Sequence, residues 1–141
     1  MKIFTLILLL SIPIANNAQI LEKHIWNNRI IIIISDNEAS DLVKLQLELL
    51  NKPKQLEERK LIIYTVFQNK FKIENKTESD WINNSELYSK YNPDGKPFKI
   101  ILIGLDGNLK LSQNKVLSSE VLFSKIDSMP MRRREIKGNH K

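Results

Sequence analysis

The chain has 141 residues, 42% of them hydrophobic and 27% charged, the balance of one compact domain rather than of a disordered segment. It contains no cysteine, and its two histidines, His24 and His140, stand far apart. Disulfides, thiol redox chemistry and thiolate metal sites are therefore excluded, and no metal ligand set or cofactor motif is legible. The formal net charge of +6 is concentrated at one end, where Arg132, Arg133, Arg134, Lys137 and Lys141 face only Glu135. The rest is nearly neutral and lacks the spread basic face, interleaved with aromatics, that nucleic-acid binding uses.

In chain order, Lys2 and the apolar stretch 3–14 read as an export signal over residues 1–18. Twelve residues fall short of the roughly 20 that span a bilayer as a helix. Cleavage after Ala18 leaves Gln19 first, so the expected location is periplasmic or secreted, with no transmembrane anchor remaining. Arg29–Ser35 (RIIIIIS) predicts a strand whose unbroken β-branched run implies burial on both faces. Ser35 and Glu38 have capping-box spacing, and Ala39, Leu42, Val43, Leu47 and Leu50 follow at helical intervals until Pro53 stops the helix. Residues 61–67 (LIIYTVF) predict a second buried strand, giving a β–α–β unit.

Residues 71–80 read as a polar loop and 80–91 as a weaker helix. Phe98–Ile103 predicts a third strand, and a tight turn at Asp106-Gly107 or Gly107-Asn108 leads into a fourth at 109–111. Ser118 caps a last helix with Val121, Leu122, Ile126 and Met129 toward the core, and Pro130 ends it. The order β-α-β-α-β-β-α, with two parallel strands, then an antiparallel hairpin, then helices on both faces, predicts an α/β, three-layer thioredoxin-like fold with a mixed sheet of about four strands. Pro97 lies just before the third strand, where such folds carry a cis-proline. The expected domain covers residues 25–135, with 136–141 as a basic tail.

An ordered set of residues carries a family resemblance: Trp26-x-x-Arg29, Glu58-Arg59, Gly104-x-Asp106-Gly107-x-x-Lys110, and Ile126-Asp127-x-Met129-Pro130-Met131-Arg132-x-x-Glu135. It resembles the bacterial domain of unknown function 4174 family. It is also similar to the P-DUDES domains of animal sushi-repeat and matrix-associated proteins, regarded as peroxiredoxin-like. The resemblance implies a thioredoxin-like fold and an extracytoplasmic setting, and it brings no activity. Leu105 departs from the family pattern, in which a basic residue is usual at that position.

In redox-active thioredoxin folds the reactive cysteine sits at the start of the first helix. Here that segment is Ser35-Asp36-Asn37-Glu38. Ser35 acting as a nucleophile would need His24 as its base, and helix capping is the simpler role. Ser35, Asp36, Asn37 and Pro97 are the candidate binding residues of this face, and Arg133 and Arg134 those of the tail. The family-motif residues are read as structural. Within them, Arg29, Arg59 and Asp127 suit an ion-pair network joining strand ends to a helix end, with an anion-binding site as the alternative. Asp106 is read as a turn former, and Trp26 and Trp81 as packing residues. The reading is an exported module without thiol chemistry that binds another envelope or extracellular protein, through the face around Asp36 or the edge strand at 109–111. Its rivals are a cysteine-independent enzyme using the first-helix face, and electrostatic attachment to anionic envelope polymers through the tail.

Overall fold

A computed structural model describes residues 20–77 and 79–140; the stretch 1–18 read as an export signal lies outside them. A 3-10 turn at Glu22–His24 leads into β1 (Arg29–Ser35), followed by α1 (Asp41–Leu49), α2 (Pro53–Glu58) and β2 (Leu61–Val66). The hairpin β3 (Lys70–Ile73) and β4 (Ile82–Asn83) comes next, then α3 (Glu86–Tyr91). β5 (Phe98–Ile103), β6 (Leu109–Gln113), α4 (Ser119–Asp127) and α5 (Pro130–Gly138) complete the chain. The six strands form one mixed sheet in the order β4-β3-β2-β1-β5-β6. β1 pairs with β2 in parallel, Ile30 opposite Ile62, and with β5 antiparallel, Ile30 opposite Ile103.

The isoleucine run explains this centre. Every residue of β1 is buried, and because side chains alternate across a strand, its isoleucines divide between two cores. Ile31 and Ile33 pack with Val43, Leu50, Leu56, Leu122, Phe123 and Ile126 from α1, α2 and α4. Ile30, Ile32 and Ile34 pack on the other side with Tyr64, Phe71 and α3's Leu87. Each buried isoleucine contributes about 1.5–3 kcal/mol, which makes β1 the strongest single element.

Several expectations are corrected. The sheet has six strands rather than about four. Residues 71–80 are no simple loop: Phe71 and Ile73 are buried while Lys70 and Lys72 are half-buried, a two-residue alternation too short to stand out. Beyond β3, the Asn75 amide continues the ladder, donating to Leu61 O at 2.7 Å and accepting from Ile63 N at 2.9 Å. α1 does not start after Ser35. Ser35 is held extended against Phe98, and Ser40 is the cap, accepting from Val43 N at 3.4 Å. Ala39 precedes the helix and Leu42 is exposed; Gln46 takes a core position instead.

α3 is shorter than expected, beginning only after the Asn84 side chain accepts from Glu86 N at 2.8 Å. Ser118 does cap α4, but Val121 faces solvent. Pro130 ends α4 by opening α5 at its first position, where its missing N–H costs nothing. The residues read as a basic tail from 136 are therefore helical through Gly138. The described residues contain no cis peptide bond, so the Pro97 bond is trans. Trp26 and Trp81 are 65% and 42% exposed, not core residues.

Candidate functional site

At the end of the sheet where β1 and β2 finish, the turn 35–40 is closed by its own side chains. The Ser35 hydroxyl donates to Asn37 O at 3.0 Å and accepts from Asn37 N at 3.1 Å. The Asn37 carboxamide accepts from Ala39 N at 2.9 Å. Asp36 N donates to Pro97 O at 3.3 Å, so the structure brings Ser35, Asp36, Asn37 and Pro97 together, with Asp36, Asn37 and Pro97 exposed.

Sequence reading missed their neighbours. Glu38 pairs with Lys70 at 3.0 Å instead of completing a capping box. Lys70 also lies over the Trp81 ring at 4.7 Å, and that ring stacks on Phe67 at 5.2 Å. The only early signal for this platform was Trp81 itself, whose partners are brought to it by the hairpin at 70–83. His24 lies at the opposite end of β1 and is 3% exposed, so it cannot act as a base for Ser35. A strand of seven residues separates them, roughly 20 Å.

At that opposite end the family-motif residues converge. Arg29 is 1% exposed and donates through Nη1 to Arg59 O at 3.0 Å and to both Glu135 oxygens, at 3.3 and 3.2 Å. Arg59 holds Asp127 with two hydrogen bonds, at 3.1 and 2.7 Å, and lies 4.5 Å over the Phe123 ring. Arg132 donates to Asp127 at 3.0 Å, to Glu58 O at 2.9 Å and to Glu135 at 3.4 Å. The expected network exists with one correction: Arg29 pairs with Glu135, and Asp127 serves Arg59 and Arg132. A sequence separation of 106 residues hid that pairing. Arg133 and Arg134 are exposed on α5, at this end and away from Asp36.

The Gly104-x-Asp106-Gly107-x-x-Lys110 motif closes the β5–β6 hairpin beside this network. Asp106 accepts from Asn108 N at 3.0 Å and from Lys110 Nζ at 2.9 Å. Gly107 takes φ +78°, which a side chain would strain. At Gly104 a Cβ would come within 2.6 Å of Lys110 Cε, so the lysine side chain lies directly over this glycine and would have to shift for any larger residue. Trp26, at φ +68°, donates its backbone N–H to Leu105 O at 2.6 Å and so ties the segment before β1 to the hairpin. β6 is an edge of the sheet, as expected for residues 109–111.

His24 and Asp127 give this end a pH dependence, alongside Asp106, whose carboxyl the hydrogen bond from Lys110 also holds below 3.8. His24 lies between Tyr64 Oη at 2.7 Å and Asn28 Oδ1 at 3.1 Å. Burial lowers its pKa below 6.5, more than the Asn28 hydrogen bond raises it, while burial pushes Tyr64 up to about 12. Burial opposes the Asp127 charge, but the hydrogen bonds and charges of Arg59 and Arg132 outweigh it and hold that carboxyl below 3.8. All three groups bind a proton more weakly when folded, so each contribution is complete above the unfolded pKa and is lost as pH falls toward the folded one. Urea midpoints should therefore begin to fall below pH 6.5 and fall again below pH 3.8. His24→Gln should remove the upper step and keep the lower one; a wild-type midpoint flat between pH 6.5 and 5 would sink the assignment.

Fold and site together define a cysteine-free, mixed α/β domain with an aromatic and polar turn at one end and a buried ion network at the other. The model of the family described as Domain of unknown function (DUF4174) matches residues 20–135, and the chain belongs to that family. No curated protein and no solved structure matches it.

Proposed function

We propose that this is an exported, thioredoxin-like domain that works by binding a protein partner in the cell envelope, without thiol chemistry. The observation that carries the reading is the turn at the start of α1. In place of a cysteine it has self-satisfied Ser35 and Asn37, with the exposed Asp36 and the Trp81–Lys70–Glu38 platform beside it. An exposed aromatic ring on a rigid support next to carboxylates suits a polypeptide that offers an apolar side chain to Trp81 and a cation to Asp36.

The thioredoxin-like part of the reading is supported by strand order. β2-β1-β5-β6 has a parallel pair and then two antiparallel neighbours, with α1, α2 and α4 on one face and α3 on the other. β3 and β4 extend that arrangement beyond β2. Export rests on the 1–18 signal pattern.

The test is affinity capture of the tagged mature chain from an envelope extract, at low and high salt. Trp81→Ala and Arg133→Ala/Arg134→Ala variants run alongside. A discrete protein kept at high salt and by the arginine variant, but lost by Trp81→Ala, is the expected result. Loss of everything at high salt or in the arginine variant would replace it with attachment through α5 charges.

A further inference from the structure

The sheet edge beside Trp81 presents unpaired backbone. β4 is the outermost strand on its side, and among the described residues it pairs only with β3. The hairpin register fixes which groups it shows. Asn84 N donates to Asn69 O at 2.9 Å, and Lys70, opposite Asn83, turns its carbonyl the other way, accepting from Phe67 N at 2.9 Å. Hydrogen-bonded and non-hydrogen-bonded pairs alternate along an antiparallel ladder. Lys70–Asn83 is therefore a non-hydrogen-bonded pair, and Asn83 points its own N–H and C=O outward. Trp81 turns the same way, because strand direction repeats every second residue.

Side chains flank this edge on both faces. The Trp81 ring lies on the face of Phe67, and Ile82, opposite Phe71, lies on the other. They are 42% and 47% exposed. Asp36 and Asp80 are exposed and form no ion pair among the described residues, whereas Lys70 is held by Glu38 and Lys72 is half-buried. The far edge of the sheet is guarded. There Leu109 and Leu111 face consecutive residues of β5, which makes Lys110 the extra residue of a bulge. A bulge and a lysine are devices that keep further strands from adding, and β4 carries neither, only its shortness.

We propose that an extended segment of the protein partner adds as a strand beyond β4, pairing with Asn83 and Trp81. This rests on the protein-binding reading and names how the partner is held. Alternating backbone donors and acceptors match an extended chain, Trp81 and Ile82 each take an apolar side chain, and the free carboxylates take a lysine or arginine. A partner docking by side chains alone would reach the ring and leave Asn83 unpaired.

The test uses the synthetic peptide acetyl-Lys-Leu-Val-Leu-Lys-amide as the probe and hydrogen exchange at the Asn83 amide of the mature chain as the readout. The peptide is expected to slow that exchange saturably, by about tenfold or more, while the β6 amides stay unchanged. Replacing its lysines with glutamine should weaken binding several-fold. Methylating the valine amide or the two leucine amides removes donors from opposite edges of the peptide, so one change should abolish protection and the other spare it. Unchanged exchange at Asn83, equal protection by both methylated peptides, or protection on β6 instead would overturn the proposal. So would protection of Asn83 that rises with protein concentration alone, since a second copy would then cover the edge. The peptide arms decide the strand addition, and capture with Trp81→Ala decides the protein-binding reading, so either can fail without the other.

Discussion

Replacing Asp127 with alanine should lower stability by about 3 kcal/mol, read as a shift in the urea midpoint at neutral pH. The carboxylate receives two hydrogen bonds from Arg59 and one from Arg132. Those arginine side chains are only 11% and 8% exposed, so its removal strands two positive charges that water reaches poorly. The carboxylate itself is 33% exposed, which holds the loss to the lower end of the range for broken buried pairs. An exposed pair such as Asp41–Lys44 should contribute under about 1 kcal/mol. A double-mutant cycle on Arg59 and Asp127 should return a coupling of about 1–3 kcal/mol. Additive single mutants would mean that the network is decoration on a fold held by β1.

Gln46→Leu should cost about 2–4 kcal/mol although it places an apolar residue of similar size in the core. Gln46 is fully buried on α1, donating to Leu117 O at 2.9 Å and accepting from Leu117 N at 2.8 Å. Leucine would leave both backbone groups of a buried residue without partners, at about 1–3 kcal/mol each. Gln46→Glu keeps an acceptor for the N–H but places a carboxylate against Leu117 O, so it should also destabilise. A thermal scan separates the outcomes: a Gln46→Leu chain as stable as wild type would contradict the role given to this pair, which ties the segment before α4 to α1.

The sequence was most legible where side chains dictate both element and burial. RIIIIIS, LIIYTVF and FKIILI are dominated by β-branched and apolar residues, and they hold the three central strands. Ser118 marked its helix start because its hydroxyl has one local task. Polar residues with long-range partners were hidden. Gln46 occupies a core position because of Leu117, 71 residues away. Lys70 and Lys72 masked β3, since their stems cover the sheet while their charges resemble those of a loop. Residues 136–138 read as part of a tail and instead continue α5, because the pairings of Arg132 and Glu135 that hold this helix form only against Arg29, Arg59 and Asp127.

The candidate site was half visible for the same reason. Ser35, Asp36 and Asn37 are consecutive, and Pro97 was reached through the expected fold. The platform of Phe67, Lys70 and Trp81 depends on a hairpin whose second strand is two exposed residues long. Tryptophan's usual burial argued against exposure; Trp81 instead covers Phe67 and leaves its outer side to solvent.

On the proposed reading, recognition belongs to the end of β1 near Asn37 and Trp81, and not to the basic surface of α5. The most direct measurement places a photo-cross-linking residue at Asn37 in one chain and at Arg133 in another, both expressed and irradiated in the source cells. A discrete cross-linked protein from position 37, with none from position 133, is the predicted outcome. Cross-links from position 133 alone would contradict the claim and move the partner to the basic helix.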